Sequence, residues 1–362
     1  MQFFVFLFKI FLFCLPFIIL ALIFREIYYY IKVRLVDRLV YVREFDKDTA
    51  FEGDEVEIVE TITNPSMLPV FFVDVESYIH GSLRVEGYDI NDGMQLIFSR
   101  FHLPPYTKVT RRFKVKCAHR GYYTMNTAVI LSKSITIERT KNYNFNSELY
   151  VYPKLIDRRD NANPCGTVYG ESLTARRVVN DPFSVSGVRD YAFGDPFNSI
   201  NFKATARSCF GGRQSIKVNN YEYCSDRVFM IYLNFLQSDE KMSSSEYSTV
   251  MESALSYAAS VARDALKNGY KVGFAANCRM VDGRQSLSFP ILGGAYHIEE
   301  LLREMAKIRI DAGGSFVSLL DGGVKRDVAG AELFIMTQYL DDDIDNYVAL
   351  LKRKNNVTVM KL

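Results

Sequence analysis

Ser186 to Arg207, SGVRDYAFGDPFNSINFKATAR, divides two textures of sequence. Before it, short runs alternate apolar and polar residues. After it, apolar runs alternate with longer stretches of helical periodicity. The stretch itself is polar, aromatic and dense in charge, so burial alone does not explain it. Gly194-Asp195-Pro196 predicts a helix start, with Asp195 at the N-cap and Pro196 at the first helical position. Phe197, Ile200, Asn201 and Ala204 then fall at helical spacing, with Lys203 and Arg207 one turn apart on the opposite side. Arg189 and Tyr191 alternate with Val188 and Asp190 as on an extended segment. A strand, a tight turn and a capped helix would bring Arg189, Asp195 and Arg207 together. Two readings stay open: a cluster of ion pairs and caps that fixes how two domains meet, or a docking and anion-binding surface with forked arginine donors. No nucleophile–base pair accompanies the motif, which leaves catalysis as a third reading.

The flanking chain sets expectations for architecture. Phe3 to Phe24 is apolar apart from Lys9. At ~1.5 Å per residue it would reach about 33 Å, enough to cross a bilayer. Arg25, Lys32, Arg34, Arg38 and Arg43 follow it, so the positive-inside rule predicts a single-pass cell-membrane protein whose C-terminal domains face the cytoplasm. From residue 35 to 154 the pattern is β. Val56, Ile58 and, after Glu60, Ile62 alternate with Glu57, Val59 and Thr61, and turn signals recur, which suggests an antiparallel β-sandwich of immunoglobulin-like type. Asp157 to Asn180 reads as a charged connector, with Arg158-Arg159, Cys165 and Arg176-Arg177. Beyond the motif, the apolar strand at Arg227–Phe235, the capped helix after Ser243 and further strand–helix alternation predict a doubly wound α/β domain.

Composition narrows the function. The 362 residues suit two domains and an anchor, and a net charge of +2 gives no reason to expect nucleic acid as a partner. Cys14, Cys117, Cys165, Cys209, Cys224 and Cys278 show neither zinc spacing nor a paired framework, so they read as reduced thiols. His80, His102 and His119 are dispersed. There is no phosphate-binding glycine motif and no nucleophile elbow.

The run R-x-Y-x-x-G-D-x-x-x-x-I-N-x-x-A-x-A-R, with Phe202 and Thr205 inside it, resembles the hallmark of the domain of unknown function 58 family. Glu52-Gly53-Asp54-Glu55, Arg120-Gly121-Tyr122-Tyr123 and Val151-Tyr152-Pro153-Lys154 resemble the same family, extending the resemblance over nearly the whole chain. The resemblance implies that the α/β half is similar to a von Willebrand factor type A domain, and that the partner is a MoxR-type AAA+ ATPase. Many type A domains hold a divalent cation through Asp-x-Ser-x-Ser after the first strand. Here that place reads Leu233-Asn234-Phe235-Leu236-Gln237, leaving only Thr337 and Asp341 as later oxygen donors, so no metal or cofactor is expected.

The expected layout is a transmembrane anchor at 1–30, a β-sandwich at 35–154, a connector with the motif at 155–225 and the α/β domain at 226–362. The expected role is a non-enzymatic, membrane-anchored scaffold or adaptor that binds a protein through Arg189, Tyr191, Gly194, Asp195, Asn201 and Arg207. The alternatives are an extracytoplasmic protein binding cell-envelope material, or a hydrolase or transferase with a site around Asp195.

Overall fold

Period-two alternation organises the N-terminal half: Val56, Ile58, Glu60 and Ile62 are all buried along one strand, while their neighbours are not. The computed structural model describes residues 2–133, 138–156, 179–209, 215–224, 227–237, 242–325 and 330–362. It divides into two units, Met1–Leu155 with Leu302–Lys307, and Ile156–Leu301 with Ile308–Leu362. The connector's arginine pairs and Cys165 lie outside the described residues.

In the first unit a helix, α1 (Gln2–Arg38), precedes β1 (Val40–Phe45), β2 (Thr49–Phe51), β3 (Glu55–Thr63), β4 (Val70–His80), β5 (Leu83–Val85), β6 (Ile90–Asn91), β7 (Met94–Leu103), β8 (Lys108–Cys117), β9 (Gly121–Lys133) and β10 (Glu138–Tyr152). They form two sheets, in the orders β1-β3-β8-β5 and β2-β10-β9-β4-β7-β6. Pairing is antiparallel except between β2 and β10, which is parallel. The inner faces share a core in which Ile58 and Val115 of one sheet cluster with Ile97 and Leu149 of the other. A second cluster joins Ile62 to Phe101 and Ile130, and takes in Leu35, Val36 and Leu39 at the end of α1. Lys141 Nζ donates to the Asp37 carbonyl at 2.6 Å, fastening that end to β10.

The expected membrane anchor is corrected here. Among the described residues, no helix is long and apolar enough to cross a membrane. Arg25 and Glu26 end the apolar run inside α1, and the helix ends within the sandwich core. The single-pass location and the orientation with the C-terminal domains in the cytoplasm fall with the anchor.

A cluster of polar side chains is buried between the sheets of the sandwich. Arg43 and Glu60 are direct partners across β1 and β3 and are 2% and 1% exposed. Glu60 accepts from the Tyr41 hydroxyl at 2.6 Å and from Ser99 Oγ at 3.0 Å, while Arg43 donates to Ser77 Oγ. Burial pushes the Arg43 guanidinium below its ordinary value, against the pull of Tyr41 and Glu60. Burial, then the Glu60 charge, raises the Tyr41 hydroxyl.

In the second unit β11 (Val179–Asp190) is followed by a single 3-10 turn (Phe197–Ser199), α2 (Phe202–Cys209) and β12 (Lys217–Cys224). The chain continues through β13 (Val228–Leu233), α3 (Ser244–Lys267), β14 (Lys271–Ala276), β15 (Cys278–Met280), β16 (Leu287–Leu292), α4 (Ala295–Ala306), β17 (Ile308–Ala312), α5 (Phe316–Lys325), β18 (Glu332–Thr337), α6 (Asp342–Lys352) and β19 (Asn356–Lys361). β11 and β12 form an antiparallel ribbon, and β15 pairs with β17. The main sheet has the order β16-β14-β13-β18-β19, parallel except where β16 meets β14. Helices cover both faces. Met230, Tyr232, Leu333 and Ile335 cluster with Leu320 of α5 and Val348 of α6. Phe334, which alternates with them, meets Tyr257 of α3 at 6.0 Å between ring centroids. α3 starts with a capping box between Ser243 and Glu246, which satisfies two donors that the first turn leaves open.

Two details depart from sequence expectation. Met280–Ser286 predicts a hairpin around Asp282-Gly283; a turn forms there, but β15 pairs with β17 instead. Gly322-Gly323 signals a loop, yet both residues lie in α5. A Cβ at Gly323 would collide with the Tyr232 hydroxyl, so this glycine permits close packing of helix on sheet.

Removing one member of the buried ionic cluster strands the other. Glu60→Leu should destabilise the protein by ~3–5 kcal/mol, and adding Arg43→Leu should recover part of the loss. Urea unfolding of the full chain measures both; a double variant no more stable than Glu60→Leu would refute mutual compensation.

Candidate functional site

The motif folds around a turn held by Asp195. Its carboxylate accepts two bonds from Arg189, both 2.7 Å, and a third from the Ala192 backbone N–H at 2.8 Å. The Asp195 N–H donates back to the Ala192 carbonyl at 3.1 Å. A forked guanidinium on a carboxylate fixes direction as well as distance. The Arg189 hydrogen bonds, and next the Ala192 N–H, hold the Asp195 carboxyl below the usual carboxylate range. Gly194 takes φ +103°, a left-handed conformation that side chains other than glycine resist. Arg189 comes from the end of β11, where Asp190 also pairs with Lys217 of β12 at 2.6 Å.

Asp195 is therefore not the helix cap that its Pro196 neighbour predicts. The helix is interrupted: Phe197–Ser199 makes one 3-10 turn, and Ile200 returns to extended backbone. Asn201 caps α2 instead, accepting from the Ala204 N–H at 2.9 Å. It also ties the cap to β12. Its Nδ2 donates to Asn219 Oδ1 at 2.7 Å, and its backbone N–H to the Lys217 carbonyl at 2.8 Å. Thr205 adds a second tie, accepting from the Lys217 N–H at 3.0 Å. Lys217 and Asn219 escaped sequence reasoning because strand partners carry no local signal; Asn201 three residues before Ala204 is the cue to the cap.

The structure joins Arg189, Gly194 and Asp195 in one turn and places Asn201 at the base of α2. Tyr191 is half-buried beside them, with its N–H donating to the Ile216 carbonyl at 2.8 Å. Arg207 is not drawn into the cluster; like Lys203 it is exposed on α2. The turn instead displays aromatic rings: Phe193, Phe197 and Phe202 are 105%, 79% and 77% exposed.

The carboxyl ends of β13, β14 and β18, where open α/β sheets commonly hold ligands, are filled by the chain itself. Asn234, Asn277 and Thr337 are fully buried. Asn234 donates to Thr337 Oγ1 and accepts from Asn277 Nδ2, each at 3.0 Å. Asn277 accepts from the Phe235 N–H at 2.7 Å. Thr337 spends its proton on the Tyr339 carbonyl, and Asp341 caps α6 by accepting from the Ile344 N–H at 2.7 Å. Among the described residues no group of three or more His, Cys, Asp or Glu is arranged to hold a metal ion. Cys117 and Cys278 are buried free thiols and Cys14 is exposed; burial pushes the Cys117 thiol up to about 11. The side chains of Cys209 and Cys224 lie outside the described residues.

Residues 187–362 match the family described as Protein of unknown function DUF58. The match begins inside the motif, so it is narrower than the nearly full-length resemblance expected from the three upstream motifs. No curated protein matches the chain. Among solved structures, the CARDB domain of a Pyrococcus furiosus protein, in complex with di-metal ions, is 16% identical with a TM-score of 0.23, covering 31% of this chain and 84% of that one. Spo0M, a sporulation control protein from Bacillus subtilis, is 12% identical with a TM-score of 0.18, covering 31% of this chain and 50% of that one. A β-glucosidase from Erythrobacter marinus is 12% identical with a TM-score of 0.18, covering 30% of this chain and 15% of that one. Likenesses this slight say nothing about function.

Two outcomes test the turn. Asp195 has a depressed folded-state pKa, so its contribution is complete above the unfolded value of ~3.9 and fades as pH falls through the lower folded value. Protection of the Ala192 amide from hydrogen exchange should persist from pH 7 to below about 4 and be lost only as pH falls through the depressed folded value, whereas in Asp195→Asn it should be weak throughout. Asn201→Ala removes a cap and a side-chain bond to β12. It should cost α2 about 1–2 kcal/mol, read as faster exchange of the Ala204 amide; unchanged exchange would remove Asn201 as the hub.

Proposed function

We propose that residues 187–362 form a non-enzymatic protein-docking module, and that the protein works as a scaffold or adaptor. The observation that carries this reading is the braced turn. Arg189, Asp195 and Asn201 spend their hydrogen bonds inside the protein, and their combined effect is to hold three phenylalanines in solvent. Exposed aromatic side chains on a rigid base supply contact area at low entropic cost. Clusters of this kind are uncommon on surfaces that meet only water. Lys203 and Arg207 stand on α2 beside Phe202. The complementary partner is a protein surface with apolar clefts and an acidic rim.

The finer reading is that the mixed sheet is a von Willebrand factor type A-like domain that docks without a cation. The Asn234–Asn277–Thr337 network, occupying the sheet's carboxyl edge, supports it. On the family resemblance, the partner is a MoxR-type AAA+ ATPase.

The test is binding of the full chain to a purified MoxR-type AAA+ ATPase by biolayer interferometry. Phe193→Ser combined with Phe197→Ser should weaken binding by roughly thirtyfold, about 2 kcal/mol, with circular dichroism unchanged. Wild-type affinity in a folded double variant would overturn the docking role of these rings; absence of wild-type binding would overturn the choice of ATPase.

A further inference from the structure

The sandwich carries a cavity of about 420 Å³ at one margin of its four-stranded sheet, within the size range of small-molecule sites. The cations of its lining all lie on β5 and β8. Arg84 and Lys116 are direct cross-strand partners, and Lys114 lies two residues further along the same face of β8. Like charges opposite one another repel and are not placed so without compensation. On its other side Lys116 faces Glu55, and Lys114 faces Glu57. Glu57, however, is taken by Arg112 at 2.9 Å. Among the described residues no ion pair neutralises Arg84, Lys114 or Lys116. Arg112, on the same face of the same strand, is paired.

Part of the lining is braced by hydrogen bonds. Gln95, 2% exposed, accepts from the Val85 N–H at 3.1 Å and donates to the Tyr88 carbonyl at 2.9 Å. The Tyr88 hydroxyl donates to the Phe98 carbonyl at 3.2 Å. The segment between β5 and β6 is thereby tied to β7. Glu55 and Glu86 add carboxylates to the lining, and Tyr88 and Ile90 add a ring and an apolar edge.

We propose that this cavity binds a small anionic sugar derivative: a hydroxyl-bearing ring carrying one phosphate or carboxylate group. The three cations receive the anion. The two carboxylates accept hydroxyl protons and repel any ligand charged along its whole length. Tyr88 and Ile90 in the lining supply apolar contact for the sugar ring.

The experiment is calorimetric titration of the full-length protein at constant ionic strength with glucose 6-phosphate, glucuronate, glucose and inorganic phosphate. At least one of the two anionic sugars should bind saturably, and the tighter of them identifies the anionic group. Glucose or inorganic phosphate binding as tightly, or no saturable heat from either anionic sugar, would overturn the proposal. Arg84→Gln combined with Lys116→Gln should weaken binding by about tenfold or more. Lys108→Gln, on the same strand but outside the cavity, should leave it unchanged. If the double variant loses its β-sheet circular dichroism, Lys114→Gln alone serves, with a smaller loss expected; unchanged affinity in a folded variant would sink the site.

Discussion

A polar group removed from water must find its partners inside the chain, and the informative places in this protein are where that requirement is met by side chains. In the sandwich it draws Tyr41 and Ser99 onto the Glu60 carboxylate. At the end of the α/β sheet it makes Asn234 and Asn277 serve each other as well as Thr337 and the Phe235 backbone. At the surface, in the motif, one aspartate answers an arginine fork and a backbone N–H together. Each solution also defines where a ligand or partner can bind. A turn whose polar groups are spent internally is rigid, and is free to display what remains, here three aromatic rings.

The same requirement separates structure from function in the motif. Arg189 and Asp195 look like recognition residues because they are charged and close. Their bonds point at each other, and the fork leaves little for a partner to claim. Phe193, Phe197 and Phe202 have no packing role that accounts for their exposure. The charged residues are the brace, and the apolar ones are what the turn exposes. In the sandwich the relation is reversed. There the braced parts are the Gln95 amide and Tyr88, and the unspent parts are the cations on β5 and β8.

How far the sequence revealed this differs from element to element. β3 was legible because Val56, Ile58 and Ile62 repeat every second residue, and α3 because Ser243 and Glu246 spell a capping box and Asn268-Gly269 closes it. α5 was hidden because Gly322-Gly323 reads as a loop unless the Tyr232 hydroxyl beneath Gly323 is known. The expected helix at Asp195 followed sound local chemistry that was outbid by Arg189, a competing partner six residues upstream. The apolar N-terminal run suggested an anchor because hydropathy weighs each residue without regard to where the helix ends; the end of α1 belongs to the sandwich core.

By itself the sequence determined the local periodicities: alternating strands before Ser186, strand–helix units after Arg227, the cap of α3 and the identity of the motif. These depend on residues within a few positions of one another, which the chain states directly. Tertiary structure alone decided which strand is neighbour to which, that Asn201 rather than Asp195 caps α2, and that the sheet edge is closed by asparagines from separate strands. It also decided that Arg84 stands opposite Lys116. Those outcomes turn on groups far apart in the chain competing for the same hydrogen bonds and the same buried space, and that competition is settled only when the sheets assemble.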